Sequence, residues 1–225
     1  IVYLVQSSQD EAFYGELDKK IKESFPQQFN IISYECSELD NDKKLYERSK
    51  LDIRNSDFLI IDVRGGLTYF NRFKDLYDEF CGKKKMFILS GIEDEIVPLI
   101  NDFQISLSQY SKIEDYIRAG GIDNYINKIL YISNEILSTQ YSFKEPKYTK
   151  YQCLYTPDGP VKDEEEYLKN YIKSTKTKVG VIVHEHRLRD NDMKTVDELY
   201  NSIIRNGGEP LILVTNTISS SRHGA

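Results

Sequence analysis

The stretch Lys178 to Thr217, KVGVIVHEHRLRDNDMKTVDELYNSIIRNGGEPLILVTNT, reads as one complete strand, loop, helix, turn and strand. Val179, Val181 and Ile182 form an apolar run too short for a helix, and Leu211 to Val214 form another after the Gly207-Gly208 break. Both predict buried parallel strands. Between them Met193, Val196, Leu199, Tyr200, Ile203 and Ile204 recur at offsets of three and four, the stripe that a crossover helix buries against a sheet. Asn191 or Asp192 can cap the start of this helix, and Gly207 can take the left-handed conformation that ends it. A βαβ unit with two strands leaves sheet edges and a helix face uncovered. The stretch is therefore expected to open a second α/β domain, truncated here.

Upstream, strand and helix signals alternate regularly, which favours a parallel sheet covered by helices. Ile1 to Val5 predicts the first strand, and a helix follows over Asp10 to Ser24, with Phe13, Leu17 and Ile21 on one face. Phe29 to Tyr34 predicts a second strand and Asp42 to Asn55 a charged helix. Phe58 to Val63, with four consecutive large apolar residues, predicts a central strand buried on both faces. Arg64-Gly65-Gly66 turns it into a helix carrying Tyr69, Phe73, Leu76, Tyr77 and Phe80, and Met86 to Leu89 supplies a fourth strand. The expected fold is a flavodoxin-like or Rossmann-like α/β layer. From Asp94 to Leu137 the pattern turns helical, and Gln140 to Pro160, rich in Tyr, Lys and Pro, reads as an extended linker or wrapping segment. Domains are accordingly expected at 1–142 and 143–225.

Composition narrows the function classes. Thirty Lys and Arg stand against 36 Asp and Glu, for a net charge of −6, and the longest basic run is Lys83-Lys84-Lys85. Nonspecific nucleic-acid binding has no electrostatic support. Cys36, Cys81 and Cys153 are far apart and never in a CxxC spacing, so neither a disulfide framework nor a zinc ribbon is indicated and a cytoplasmic setting fits. No apolar run approaches the roughly 20 residues that span a bilayer. The chain starts at Ile1 without an initiator Met, inside a strand-like run, and is expected to be a segment of a longer polypeptide.

Two places could carry chemistry. Arg64, Gly65 and Gly66 follow a central strand, where open α/β sheets bind ligands and glycine lets the backbone approach closely. The same glycines also serve an ordinary tight turn. His184 and His186 occupy the equivalent loop of the second domain, and residues two apart in an extended segment project to one side. Both imidazoles could thus face one metal ion, with Asp190 or Asp192 nearby, although Arg187 and Arg189 oppose a cation. Asp163-Glu164-Glu165-Glu166 reads as the acidic first turn of a helix. Neither GxGxxG nor GxxxxGK[ST] follows any strand, which argues against a self-contained NAD enzyme or NTPase. No catalytic residue can be assigned.

Four stretches together resemble the large-subunit family of cobaltochelatase and magnesium chelatase, the CobN and H-type subunits. They are SDFLIIDVRGGLTYFNRF (56–73), YIRAGGIDNYINKILYI (116–132), LYTPDGPVKDEEEYLKNYI (154–172) and VGVIVHEHRLRDNDMKTVDELYNSIIRNGGEPL (179–211). The second is similar to the family's Tyr-x-x-x-Gly-Gly-x-x-Asn segment, carried here by Tyr116, Gly120, Gly121 and Asn124. The resemblance implies a subunit that binds a tetrapyrrole, a corrin precursor or a porphyrin, into which cobalt or magnesium is inserted. It also implies AAA+ partner subunits that use the ATP, so that this chain binds none, and an inactive segment when isolated. The alternative expectation is a flavodoxin-like module that binds a flavin or nucleotide, or docks a protein, without chelatase activity.

Overall fold

The computed structural model describes residues 1–148, 152–189 and 192–215. The chain divides into two compact units, 1–118 with 125–145, and 119–124 with 146–225.

In the first unit β1 (Val2–Val5) leads into α1 (Ser8–Ser24), whose Ser7 cap accepts from the Asp10 amide. β2 (Ile32–Glu35) follows, then α2 (Cys36–Asn41) and α3 (Lys43–Asn55), the latter capped by Asp42. β3 (Leu59–Val63) is buried at every position, as its continuous apolar run predicts. A 3-10 turn at Leu67–Tyr69 intervenes before α4 (Phe73–Phe80), so the predicted helix starts later than its aromatic spacing suggested. β4 (Met86–Ser90) completes a parallel sheet of order β2-β1-β3-β4. Val2 pairs with both Ile32 and Leu59, and Val5 with Asp62. This is a Rossmann-like α/β arrangement in which β1, though first in sequence, lies inside the sheet. The boundary between β1 and β3 is the switch point where such sheets bind ligands.

The helical stretch comprises α5 (Glu93–Ile96), α6 (Leu107–Ala119), α7 (Ile122–Tyr131) and a π-helical turn at Ile132–Ile136. Val2, Leu4, Leu59, Ile61, Leu76, Met86 and Ile88 form the centre of the core. The basic run at 83–85 has a structural use. Lys84 Nζ donates to the carbonyls of Arg54 and Ser56, and Lys85 Nζ to that of Ile136, placing cations where helical segments end.

The second unit contains β5 (Cys153–Thr156), β6 (Gly159–Pro160), α8 (Glu164–Lys173), β7 (Thr177–His184), α9 (Glu185–Arg189), α10 (Lys194–Arg205) and β8 (Gly208–Thr215). β7 and β8 pair in parallel across α10, as the opening stretch predicts, but the expected burial of β7 needs correction: it is an edge strand in which only Val183 is buried and Ile182 is exposed. The linker reading of Gln140 to Pro160 needs correction. Residues 153–160 form a hairpin, and β5 lies antiparallel against the edge of β8, giving the order β6-β5-β8-β7. Tyr155 reaches from β5 to donate to Asp197 of α10 at 2.8 Å. The stripe of α10 is also only partly buried: Met193 and Val196 enter the core with Ile212 and Val214, whereas Leu199 and Ile204 are exposed. Among the described residues no helix is long and apolar enough to cross a membrane.

The segment carrying Tyr116, Gly120, Gly121 and Asn124 is explained by backbone accounting. Gly120 and Gly121 both have positive φ, 63° and 76°, which joins α6 to α7 by a turn that favours glycine. Asn124 Nδ2 then donates to the Gly120 carbonyl (2.6 Å) and the Lys147 carbonyl (2.9 Å), while its Oδ1 accepts from the Lys147 amide at 2.9 Å. Within the first unit, Tyr116 donates to the Lys144 carbonyl and Asn127 accepts from the Lys144 amide. These side chains stand in for a neighbouring strand. Asn124→Ala leaves both polar groups of Lys147 unpaired and is expected to destabilise by about 2–3 kcal/mol. Hydrogen exchange checks this: the Lys147 amide should lose its protection while amides of β1 and β3 keep theirs.

Candidate functional site

The candidate site lies at the carboxyl ends of β1 and β3. Asp62, the last but one residue of β3, is 4% exposed and accepts from Arg64 Nε at 3.1 Å and Nη2 at 3.0 Å. The guanidinium, its side chain 48% exposed, also donates to Tyr125 Oη at 3.4 Å. Arg64 thus spans from a buried carboxylate to the surface.

The Gly65-Gly66 turn is tightly held. Gly65 N donates to Gln6 Oε1 at 2.7 Å, which ties the end of β3 to the end of β1, and Gly66 N donates to Val63 O at 2.9 Å. Leu67 N donates to Glu95 Oε2 at 2.7 Å, and Ser90 Oγ donates to the same oxygen at 2.6 Å. A carboxylate of the chain itself therefore occupies the amide that opens the 3-10 turn, a position where a bound anion would otherwise be stabilised. A Cβ at Gly65 would stand 2.9 Å from the Tyr69 ring, and one at Gly66, where φ is 113°, would stand 3.0 Å from Ile92 Cδ1. Tyr69 and Ile92 flank the turn and are both exposed. The glycines are thus required for the turn, and the group that reaches solvent is Arg64.

Beneath Arg64 lies a residue that sequence reading passed over. Lys128, on α7, is fully buried, and its Nζ has no hydrogen-bond partner. It sits 4.1 Å from the centroid of Tyr125, 5.2 Å from Tyr3 and 5.7 Å from Tyr14. Tyr3 and Tyr14 stack at 3.9 Å, and the buried Tyr3 hydroxyl also lacks a partner. Burial brings the amine from the ordinary lysine range down to about 7; Asp62 opposes this and Arg64 reinforces it. Burial likewise raises both tyrosines well above their usual range. The signal was present: Lys128 stands three residues after Tyr125 and four before Ile132, on the apolar face of α7.

In the second unit, His184 ends β7 and His186 lies in α9, with their Nδ1 atoms 2.9 Å apart. The structure does bring the two imidazoles together. His184 Nδ1 also accepts from the His186 amide at 3.2 Å, the hydrogen bond of a residue capping α9. Asp192, expected nearby, is instead paired with Arg187 at 2.9 Å, and Asp190 lies outside the described residues. Among the described residues no group of three or more His, Cys, Asp or Glu is placed to hold a metal ion. A cleft of about 410 Å³, lined by Asn30, Asp52, Asp57 and Tyr141 among others, opens at the amino ends of the first sheet. Open α/β sheets bind at the opposite end, so this cleft is not the candidate.

Residues 114–224 match the family model described as CobN/Magnesium Chelatase. This stretch, just under half of the chain, is similar to that family. The CobN match contains three of the four stretches that suggested it, and 56–73 precedes it. An uncharacterized protein of Methanocaldococcus jannaschii is 24% identical over 217 residues, covering 94% of this chain and 17% of that protein. The catalytic subunit of cobaltochelatase from Mycobacterium tuberculosis is similar in fold, with a TM-score of 0.54 and 16% identity over 98% of this chain and 17% of that one. The chain therefore spans under a fifth of the length of both.

Proposed function

We propose that this chain is part of the large, tetrapyrrole-handling subunit of an ATP-dependent, cytoplasmic metal chelatase, with cobalt as the inserted ion and a corrin precursor as the acceptor. The observation that carries the reading is the CobN/Magnesium Chelatase match over residues 114–224. The likeness of fold to a cobaltochelatase catalytic subunit across 98% of the chain supports it. Separate AAA+ subunits hydrolyse the ATP, in keeping with the lack of a P-loop pattern here. Insertion itself is assigned to the larger remainder of the polypeptide, and this segment contributes binding. Its ligand edge is the Arg64-Gly65-Gly66 turn, with Arg64 as the group offered to an anionic substituent. The His184 and His186 pair is retained only as a secondary metal candidate, because the lone pair of His184 already caps α9. The flavodoxin-like alternative would place a phosphate at the same turn, where Glu95 holds the Leu67 amide.

The test is spectroscopic titration of the full natural polypeptide with hydrogenobyrinic acid diamide and with protoporphyrin, each with and without cobalt. Saturable binding of the corrin precursor is expected. If neither macrocycle binds, the chelatase reading fails.

A further inference from the structure

Asp62 acts on two cations, on Arg64 through hydrogen bonds and on Lys128 through its charge alone. Arg64 donates two hydrogen bonds to it and leads outward, whereas Lys128 is buried behind Tyr125 with an unpartnered amine. The rings that face this amine are those of Tyr3 from β1, Tyr14 from α1 and Tyr125 from α7 itself, and the charges of Asp62 and Arg64, at the end of β3, act on it. Asp62 is the single carboxylate among them, and the three rings offer only their faces to a charge. The two cations therefore compete for one counter-ion.

We infer that Asp62 is a shared counter-ion, so that drawing the Arg64 guanidinium outward to an anion at the carboxyl edge loads a proton from solvent onto the buried Lys128 amine. Anion capture and proton uptake are then linked: each favours the other by the same factor. The ligand class is a carboxylate or another small oxyanion presented at the surface beside Tyr69 and Ile92. The inference rests on the proposed ligand edge at Arg64, but the competition inside the protein can be measured with no ligand.

The experiment labels lysine at Cε with carbon-13 in the full chain and follows its resonances from pH 5 to 10, with Lys128 assigned by its loss in Lys128→Met. In Arg64→Gln the midpoint of Lys128 is expected to rise by about one unit, a tenfold gain in proton affinity, because Asp62 is released to the amine. In Asp62→Asn it should fall instead. Sodium sulfate, compared with chloride at equal ionic strength, should raise the midpoint in the natural chain and leave Arg64→Gln unmoved. An unchanged midpoint in Arg64→Gln overturns the shared counter-ion, even if Asp62→Asn fails to fold. A rise in Arg64→Gln with no response to sulfate overturns the link to external anions while leaving the chelatase reading standing.

Discussion

Lys128→Met is expected to raise the melting temperature at pH 6 by on the order of 10 °C. Below about pH 7 the natural lysine is charged in both the folded and the unfolded chain, and the folded chain bears the cost of an amine buried without a hydrogen bond. The sign follows from the lowered pKa. Between about 7 in the folded state and 10.5 in the unfolded state, the unfolded chain holds more protons, so stability rises with pH across that window. Its full depth is a few kcal/mol, at most about 5 kcal/mol for three to four units. The face of Tyr125 at 4.1 Å returns part of this, roughly 1–2 kcal/mol for a desolvated cation. Methionine fills a similar volume without a charge, so its variant should lack the slope. The gap between the two proteins should therefore be wide at pH 6 and narrow towards pH 9. Above that the buried Tyr3 and Tyr14, whose ionisation burial holds back, destabilise both alike. Thermal unfolding followed by circular dichroism at pH 6 and 9 decides the matter. A variant no more stable at pH 6, or a gap independent of pH, would contradict it.

The contrast between β3 and Lys128 shows what a sequence carries openly. Phe58 to Val63 could be read as a doubly buried strand because four neighbouring apolar residues leave no polar face, and every residue of β3 is buried. The βαβ order of β7, α10 and β8 was legible from the same kind of short apolar run, but not the burial, since only Val183 of β7 is buried. β5 was harder, since four residues flanked by Tyr, Lys and Pro are too few to show a period of two. The turn signal was nonetheless there in Thr156-Pro157-Asp158-Gly159, and Gly159 has a φ of 109°. Arg64 was singled out by its place after a central strand. Its surroundings were not legible, because its hydrogen bond to Tyr125 spans 61 residues. The place of Lys128 on the apolar face of α7 was legible, but a lysine there ordinarily carries its amine out to solvent, and its burial depends on Tyr3 and Tyr14 from other elements. The rings of His184 and His186 do lie together, but the sequence could not show that one lone pair caps the next helix.

Gly91→Ala is expected to be the most damaging single-methyl change in the first unit, at about 3 kcal/mol or more. A Cβ at this position would lie 1.9 Å from the carbonyl oxygen of Arg64, a backbone atom that no rotamer change can remove. Neither side of the contact can yield cheaply. The backbone beside the Arg64 carbonyl is held by the Gly65 amide, which donates to Gln6, and by the Gly66 amide, which donates to Val63. On the opposite side Ser90 donates to Glu95 and accepts from the Ile92 amide, which pins the loop that carries Gly91. Relief requires breaking one of these sets, and either choice displaces Arg64 from the carboxyl edge. The comparison variant is Gly180→Ala on β7, where an added Cβ meets nothing within 4 Å. There the loss of backbone freedom in the unfolded chain should stabilise by about 0.5 kcal/mol. Matched denaturant titrations of the two variants separate steric conflict from a general intolerance of lost glycines. If Gly91→Ala unfolds at the same midpoint as the natural chain, then the close packing of the β3 and β4 ends does not fix Arg64, and the counter-ion competition at Asp62 loses its rigid frame.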